Sequence, residues 1–185
     1  ELLRLNTDFS IWKSYKSIYK FAIKMLEALN MLHQKFICHL DIKPENIMIN
    51  RRTKEFKIID FGFASQEPFN DFISNIRGTP GYFPQFIVGD KITEYLPRIH
   101  ANDRIKINGK YPMELNRKLV YKIDSYCLGR SLYFLKLVYQ NYKVYECYNS
   151  EKKTMRKLEN LISDLTNNDV HQRFTIRRCL IKYYS

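Results

Sequence analysis

A chain of 185 residues with 45% hydrophobic and 27% charged side chains is sized for one soluble domain that buries a core of its own. No apolar run approaches the ~18 residues of a membrane-crossing helix, and the zones of a signal peptide are missing at the start. The net charge of +12 favours polyanions, but Lys and Arg are spread along the chain, so charge alone does not choose among nucleic acid, membrane surface and nucleotide phosphate.

The sequence starts with Glu1 rather than Met and is expected to be a fragment. The first predicted element runs from about Lys13 to Gln34, where Ile18, Ala22, Met25, Leu26, Leu29 and Leu32 recur at helical spacing. Asn46 to Ile49 and Phe56 to Ile59 are short apolar runs around the polar Arg51-Arg52-Thr53-Lys54, the pattern of a hairpin. Asp60 to Lys118 holds five of the six glycines and five of the six prolines, too many for one regular element. Leu119 to Tyr139 is so apolar that a helix there should be buried on most sides. Two further helices are expected near Lys153 to Leu165 and Thr175 to Tyr184. Cys38, Cys127, Cys147 and Cys179 contain no C-x-x-C pair, so zinc is not expected and reduced thiols are.

Chemistry concentrates in His39-Leu40-Asp41-Ile42-Lys43-Pro44-Glu45-Asn46, ahead of the hairpin, and in Asp60-Phe61-Gly62, at its end. These segments resemble the H-R-D-L-K-P-E-N catalytic loop and D-F-G metal loop of the protein kinases. The resemblance implies that Asp41 orients the acceptor hydroxyl and takes its proton, and that Lys43 reaches the γ-phosphate. Asn46 and Asp60 would bind Mg²⁺, a hard cation that prefers oxygen ligands. Lys43, Asn46, Met48 and Asp60 would contact ATP. Gly78-Thr79-Pro80-Gly81-Tyr82-Phe83-Pro84-Gln85 resembles the end of an activation segment spanning 60–85, in which Thr79 would bond Asp41 and Lys43. Asp124 and Gly129 match D-x-W-S-L-G, with Asp124 anchoring the catalytic-loop backbone. Asp169 to Thr175 resembles D-P-x-x-R-x-T, with Arg173 as the structural Arg. His39 and Phe61 would stack; His33, His100 and His171 are expected to be structural or exposed.

The pattern also departs from the family's. No glycine-rich loop and no V-A-I-K lysine can be placed in residues 1–12, so the expectation is a C-lobe without the lobe that clamps ATP. Either that lobe was cut off, and an N-lobe completes the site in cis or in trans, or a very short protein keeps only half the fold; the chain alone should hold ATP weakly or not at all. Leu40 replaces the Arg of H-R-D, which usually pairs with a phosphate on the activation segment. Gln85 replaces the Glu that normally pairs with the residue matched by Arg173. Residues of about 88–117, with Lys91, Arg98, Arg104, Lys106 and Lys110, look like an insertion, and the partner-docking helix expected after Tyr139 is short or missing.

The expected fold is mainly α with a small β-hairpin, a protein kinase-like C-lobe forming one domain over 1–185, with a helical remainder at 119–185. The expected function is transfer of the ATP γ-phosphoryl group to a protein Ser or Thr, with ATP and Mg²⁺ as cofactors and a protein substrate as partner. Alternatives are a pseudokinase or scaffold, a small-molecule kinase of the aminoglycoside type, and, on charge alone, a nucleic-acid binder. Nucleic acid is the less favoured partner, and no membrane partner is expected. Cytoplasm is the expected compartment, a host's if the source is viral. The richness in Ile, Lys, Asn, Tyr and Phe suggests an AT-rich genome, such as that of a large DNA virus or a parasite.

Overall fold

The computed structural model describes residues 2–5, 11–69, 78–84, 117–142 and 148–184. In chain order the elements are β1 (Leu2–Arg4), α1 (Tyr15–Gln34), β2 (Ile37–Cys38), a 3-10 turn (Pro44–Asn46), β3 (Ile47–Asn50), β4 (Phe56–Ile58) and β5 (Ser65–Gln66), then α2 (Arg117–Tyr142), α3 (Tyr148–Thr166) and α4 (Ile176–Tyr183). The fold is mostly helical with small sheets.

Helix α1 starts where Ser14 and Ser17 cap it reciprocally. The Ser14 hydroxyl accepts from the Ser17 N–H, and the Ser17 hydroxyl accepts from the Ser14 N–H. The helix buries Ile18, Phe21, Ala22, Met25, Leu26 and Leu29, and burying each larger side chain contributes about 2 kcal/mol over leaving it exposed. It packs against α2, α3 and α4, so it is the spine of the helical core. It ends at Lys35, and Phe36 takes a left-handed φ of 60° that turns the chain into β2.

The hairpin is present as β3–β4, with Ile47 opposite Ile58 and Ile49 opposite Phe56. It is part of a larger sheet than expected. Strand β1 pairs antiparallel with β3, placing Leu3 opposite Ile49, so the order is β1-β3-β4. A second two-stranded sheet joins β2 to β5, with Cys38 opposite Ser65. This corrects the single small hairpin and shows that the glycine- and proline-rich stretch begins with a strand. A ring cluster fastens the first sheet to α1: Phe21 meets Trp12 at 5.2 Å and Phe56 at 4.7 Å, both edge to face.

Helix α2 is longer than its apolar core predicts, and Arg117 belongs to it rather than to the insertion. It is also less enclosed than expected, since Tyr133, Phe134 and Leu137 are exposed while Ile123, Leu128, Leu132 and Leu135 are buried. Gly129 marks its closest approach to α3. A Cβ there would lie 2.5 Å from the Thr166 methyl and 2.9 Å from the Leu165 Cβ. Helix α3 begins five residues ahead of the expected Lys153, and α4 is capped by the Thr175 hydroxyl, which accepts from the Arg178 N–H. No helix among the described residues is long and apolar enough to cross a membrane.

Candidate functional site

The loop between β2 and β3 is held from behind by Asp124, which is wholly buried on α2. Its Oδ2 accepts from the His39 N–H at 2.9 Å and its Oδ1 from the Leu40 N–H at 2.7 Å. His33, from the last turns of α1, brings its Nε2 within 2.9 Å of Oδ2. Burial alone would push this carboxyl up. The His33 hydrogen bond and charge, with help from His39, outweigh burial and hold it below the ordinary carboxylate value. Leu40 sits at a left-handed φ of 66°, which is strained for a residue with a Cβ. The bonds from Asp124 to Leu40 and its neighbour fix that conformation, and the Leu40 side chain is fully buried in the core.

Leu40 turns the chain so that Asp41 emerges at the front. Its carboxylate is gripped on both oxygens. Oδ1 accepts from the Thr79 hydroxyl at 2.5 Å. Oδ2 lies 2.9 Å from Lys43 Nζ and accepts from Asn46 Nδ2 at 2.9 Å. Lys43 Nζ also donates to Thr79 Oγ1 at 2.7 Å, so Thr79 bridges Asp41 and Lys43. The contacts expected of Thr79 are thus present. The 3-10 turn opened by Pro44 supplies the geometry: it returns the chain so that Asn46 faces Asp41 and donates to its carbonyl too.

Asn46 and Asp60 flank the open end of the β3–β4 hairpin, where the Ile59 N–H donates to the Asn46 carbonyl at 2.9 Å. Asp60 is exposed, adopts a left-handed φ of 63° that Asp tolerates, and accepts from the Gly62 N–H through Oδ1. Asn46 spends its amide nitrogen on Asp41, which leaves its Oδ1 for another partner. Both side chains carry hard oxygen donors, the ligand type a magnesium ion prefers. Met48 is half-buried on β3 and faces opposite to the buried Ile47 and Ile49. Phe61, next to Asp60, is 48% exposed and meets the His39 ring edge to face at 4.9 Å rather than stacked.

The segment of residues 60–85 is tied down at two described places. Near its start, the Glu67 N–H donates to the Phe36 carbonyl, and Glu67 Oε1 accepts from the Tyr121 hydroxyl at 2.8 Å. Phe69 is fully buried against the Tyr121 ring, which in turn meets the His33 ring at 4.9 Å. The path Phe69, Tyr121, His33, Asp124 therefore connects the segment to the back of the catalytic loop. Near its end, Phe83 packs against Gly78, where a Cβ would come within 2.2 Å of the ring. Arg130 of α2 donates to the Gly81 carbonyl at 2.9 Å.

Sequence reasoning missed the role of His33, Tyr121 and Glu67. His33 could have been suspected from its place on the helix that leads into the loop; Tyr121 and Glu67 carry no local signal. Arg173 is buried; its Nε donates to the Asn167 carbonyl at 2.9 Å, and its guanidinium lies over the Tyr126 ring. Burial lowers its pKa to about 10. Gln85, Ser74, His100, Cys147 and nearly all of the 88–117 insertion lie outside the described residues. His33, Cys38 and Asp124 have ligand atoms close enough together for a metal. They do not suit one, because both Asp124 oxygens are taken and burial, with Asp124 and Glu67 nearby, holds the Cys38 thiol protonated.

The protein kinase domain model matches residues 4–185. The chain is 40% identical over 67 residues to serine/threonine-protein kinase nekl-2 of Caenorhabditis elegans, covering 36% of this chain and 19% of that protein. It is 39% identical over 72 residues to serine/threonine-protein kinase ULK3 of Xenopus laevis, covering 38% and 15%. It is 27% identical over 109 residues to cell division cycle 7-related protein kinase of Homo sapiens, covering 59% and 18%. The chain thus spans less than a fifth of each of these relatives. With that match across almost its whole length and the Asp41, Lys43, Thr79 cluster already assembled, the chain belongs to the eukaryotic-type protein kinase family.

Proposed function

We propose that this chain is the catalytic lobe of a protein serine/threonine kinase, which transfers the ATP γ-phosphoryl group to a protein hydroxyl. The observation that carries the reading is the gripped Asp41 carboxylate, with Thr79 on one oxygen and Lys43 and Asn46 on the other. The phosphoryl group in flight is highly charged, so catalysis depends on positioning and on charge neutralisation. Asp41 orients the substrate hydroxyl and accepts its proton. Lys43, held at Asp41 by Thr79, balances negative charge on the γ-phosphate and on the acid. Asn46 and Asp60 offer their oxygens to Mg²⁺, which with ATP supplies the transferable phosphoryl group and its counter-charge.

Thr79 favours a protein substrate over a small molecule. It belongs to the segment that ends the activation loop, and its hydroxyl couples Asp41 to Lys43. Leu40 puts a buried hydrocarbon where a phosphate-binding Arg would stand, so the loop is set by packing and by Asp124 rather than by phosphorylation. The ATP clamp comes from a second lobe in cis or in trans, and the reaction runs in the cytoplasm. Thermal shift with Mg²⁺-ATP tests the reading. At tenfold excess over Kd, binding raises stability by about 1.4 kcal/mol, a shift of roughly 3–5 °C for a domain of this size. Wild type should show it, and Asp60→Ala should lose it. Shifts that are equal in both proteins, or absent from both, would overturn the reading for the free-standing chain.

A further inference from the structure

The exposed charges on three of the helices are all of one sign. On α1 they are Lys16, Lys20 and Lys24, spaced by four residues and hence on one face. On α3 they are Lys152, Lys153, Arg156 and Lys157, and on α4 Arg177, Arg178 and Lys182. The carboxylates of these helices, Glu27, Glu151, Glu159 and Asp164, are half-buried. Glu151 accepts from the Tyr15 N–H and the Tyr139 hydroxyl, Glu159 pairs with Lys136, and Asp164 binds Lys182 and the Tyr183 hydroxyl. Apart from Lys182, none of the exposed cations forms an ion pair with a described residue.

These cations flank the contacts that join the three helices. The Tyr15–Glu151 hydrogen bond places Lys16 and Lys152 one position from a contact between α1 and α3. The Tyr19 hydroxyl donates to the Tyr183 carbonyl at 2.8 Å, which does the same for Lys20 and Lys182 between α1 and α4. A basic strip therefore runs from α3 across the first turns of α1 to α4. The third member is apolar. Ile181, 78% exposed between Arg178 and Lys182 in sequence, and Tyr184, 65% exposed just after α4, are the most exposed large hydrophobic side chains among the described residues.

We propose that this strip docks the lobe on an anionic lipid bilayer. Lysines and arginines meet the acidic headgroups, while Ile181 and Tyr184 enter the interfacial layer. Charge complementarity alone would also suit a nucleic acid, but a phosphodiester backbone gives an exposed isoleucine nothing to bury against. The catalytic cluster uses none of these residues, so the surface is separate from the phosphotransfer site.

Co-sedimentation of the full chain with sucrose-loaded vesicles tests this. Vesicles of phosphatidylcholine with about 30% phosphatidylserine, in about 0.1 M KCl, are compared with phosphatidylcholine alone. The chain should bind the acidic vesicles only. The triple variant Lys16→Glu, Lys20→Glu, Lys24→Glu should bind at least about tenfold more weakly, as should Arg177→Glu with Arg178→Glu. Ile181→Ser with Tyr184→Ser should weaken binding several-fold without changing the circular dichroism. The proposal is overturned by equal binding to neutral vesicles or by charge-reversed variants that bind as wild type. Tighter binding to a duplex oligonucleotide, unaffected by Ile181→Ser, overturns it in favour of nucleic acid.

Discussion

Replacing Asp124 by alanine removes the acceptor of the His39 N–H, the Leu40 N–H and His33 in one step. The two backbone donors are buried, and Asp124 accepts from both. An orphaned buried donor costs about 1–3 kcal/mol, so the pair alone loses about 4 kcal/mol. Leu40 also loses what holds it at a φ of 66°. For a domain of this size each kcal/mol shifts Tm by about 2–4 °C, so Asp124→Ala should melt roughly 8–16 °C lower. Asp124→Asn keeps the shape and one acceptor oxygen and should fall between the two. Thermal unfolding followed by circular dichroism gives the shift, and amide hydrogen exchange at His39 and Leu40 locates it. A drop below ~2 °C, with both amides still protected, would refute the claim that Asp124 fixes the catalytic loop.

Asp124 also predicts a pH dependence. Its carboxyl is held below the ordinary 3.8, so the stability it contributes is fully present above that value and is lost as pH falls through the lowered one. The urea midpoint should therefore show an acid loss below about pH 4 in wild type that is smaller in Asp124→Asn. Thr79→Val keeps the side-chain shape but removes the hydroxyl shared by Asp41 and Lys43; kcat for phosphotransfer should fall about 30- to 100-fold with KM little changed, and Thr79→Ser should recover most of it. Gly129→Ala forces a methyl against Thr166 and Leu165 and should cost about 1–3 kcal/mol in chemical denaturation. Phosphorylation of Ser65, Ser74 or Thr79 should not raise activity by about tenfold or more, because the buried Leu40 offers no charge to a phosphate; such a gain, measured with Leu40 intact, would contradict this.

The helices were legible because their apolar residues recur at the helical period and because each packs as one stripe. Their ends were not, since they depend on caps: Ser14 and Ser17 start α1, and Thr175 starts α4. Strand β1 was invisible, because Leu2–Arg4 becomes a strand only by pairing with β3, more than 40 residues away. The front of the site was readable because Asp41, Lys43 and Asn46 follow one another in a short loop, with Asp60 close behind. Its back was not, because His33 meets Asp124 across 91 positions and Tyr121 meets Glu67 across 54. Such contacts are set by how α1 and α2 cross, and no local pattern records that.

The central claim is that Asp41 serves phosphoryl transfer to a protein hydroxyl. The most direct measurement gives the chain millimolar Mg²⁺ and γ-labelled ATP with a serine- and threonine-containing protein, in parallel with Asp41→Asn, and then identifies the labelled amino acids. The high nucleotide concentration compensates for weak ATP binding. The account predicts label on serine or threonine that falls at least about a hundredfold in Asp41→Asn. Label that is equal in the two proteins, or none in either, would contradict it.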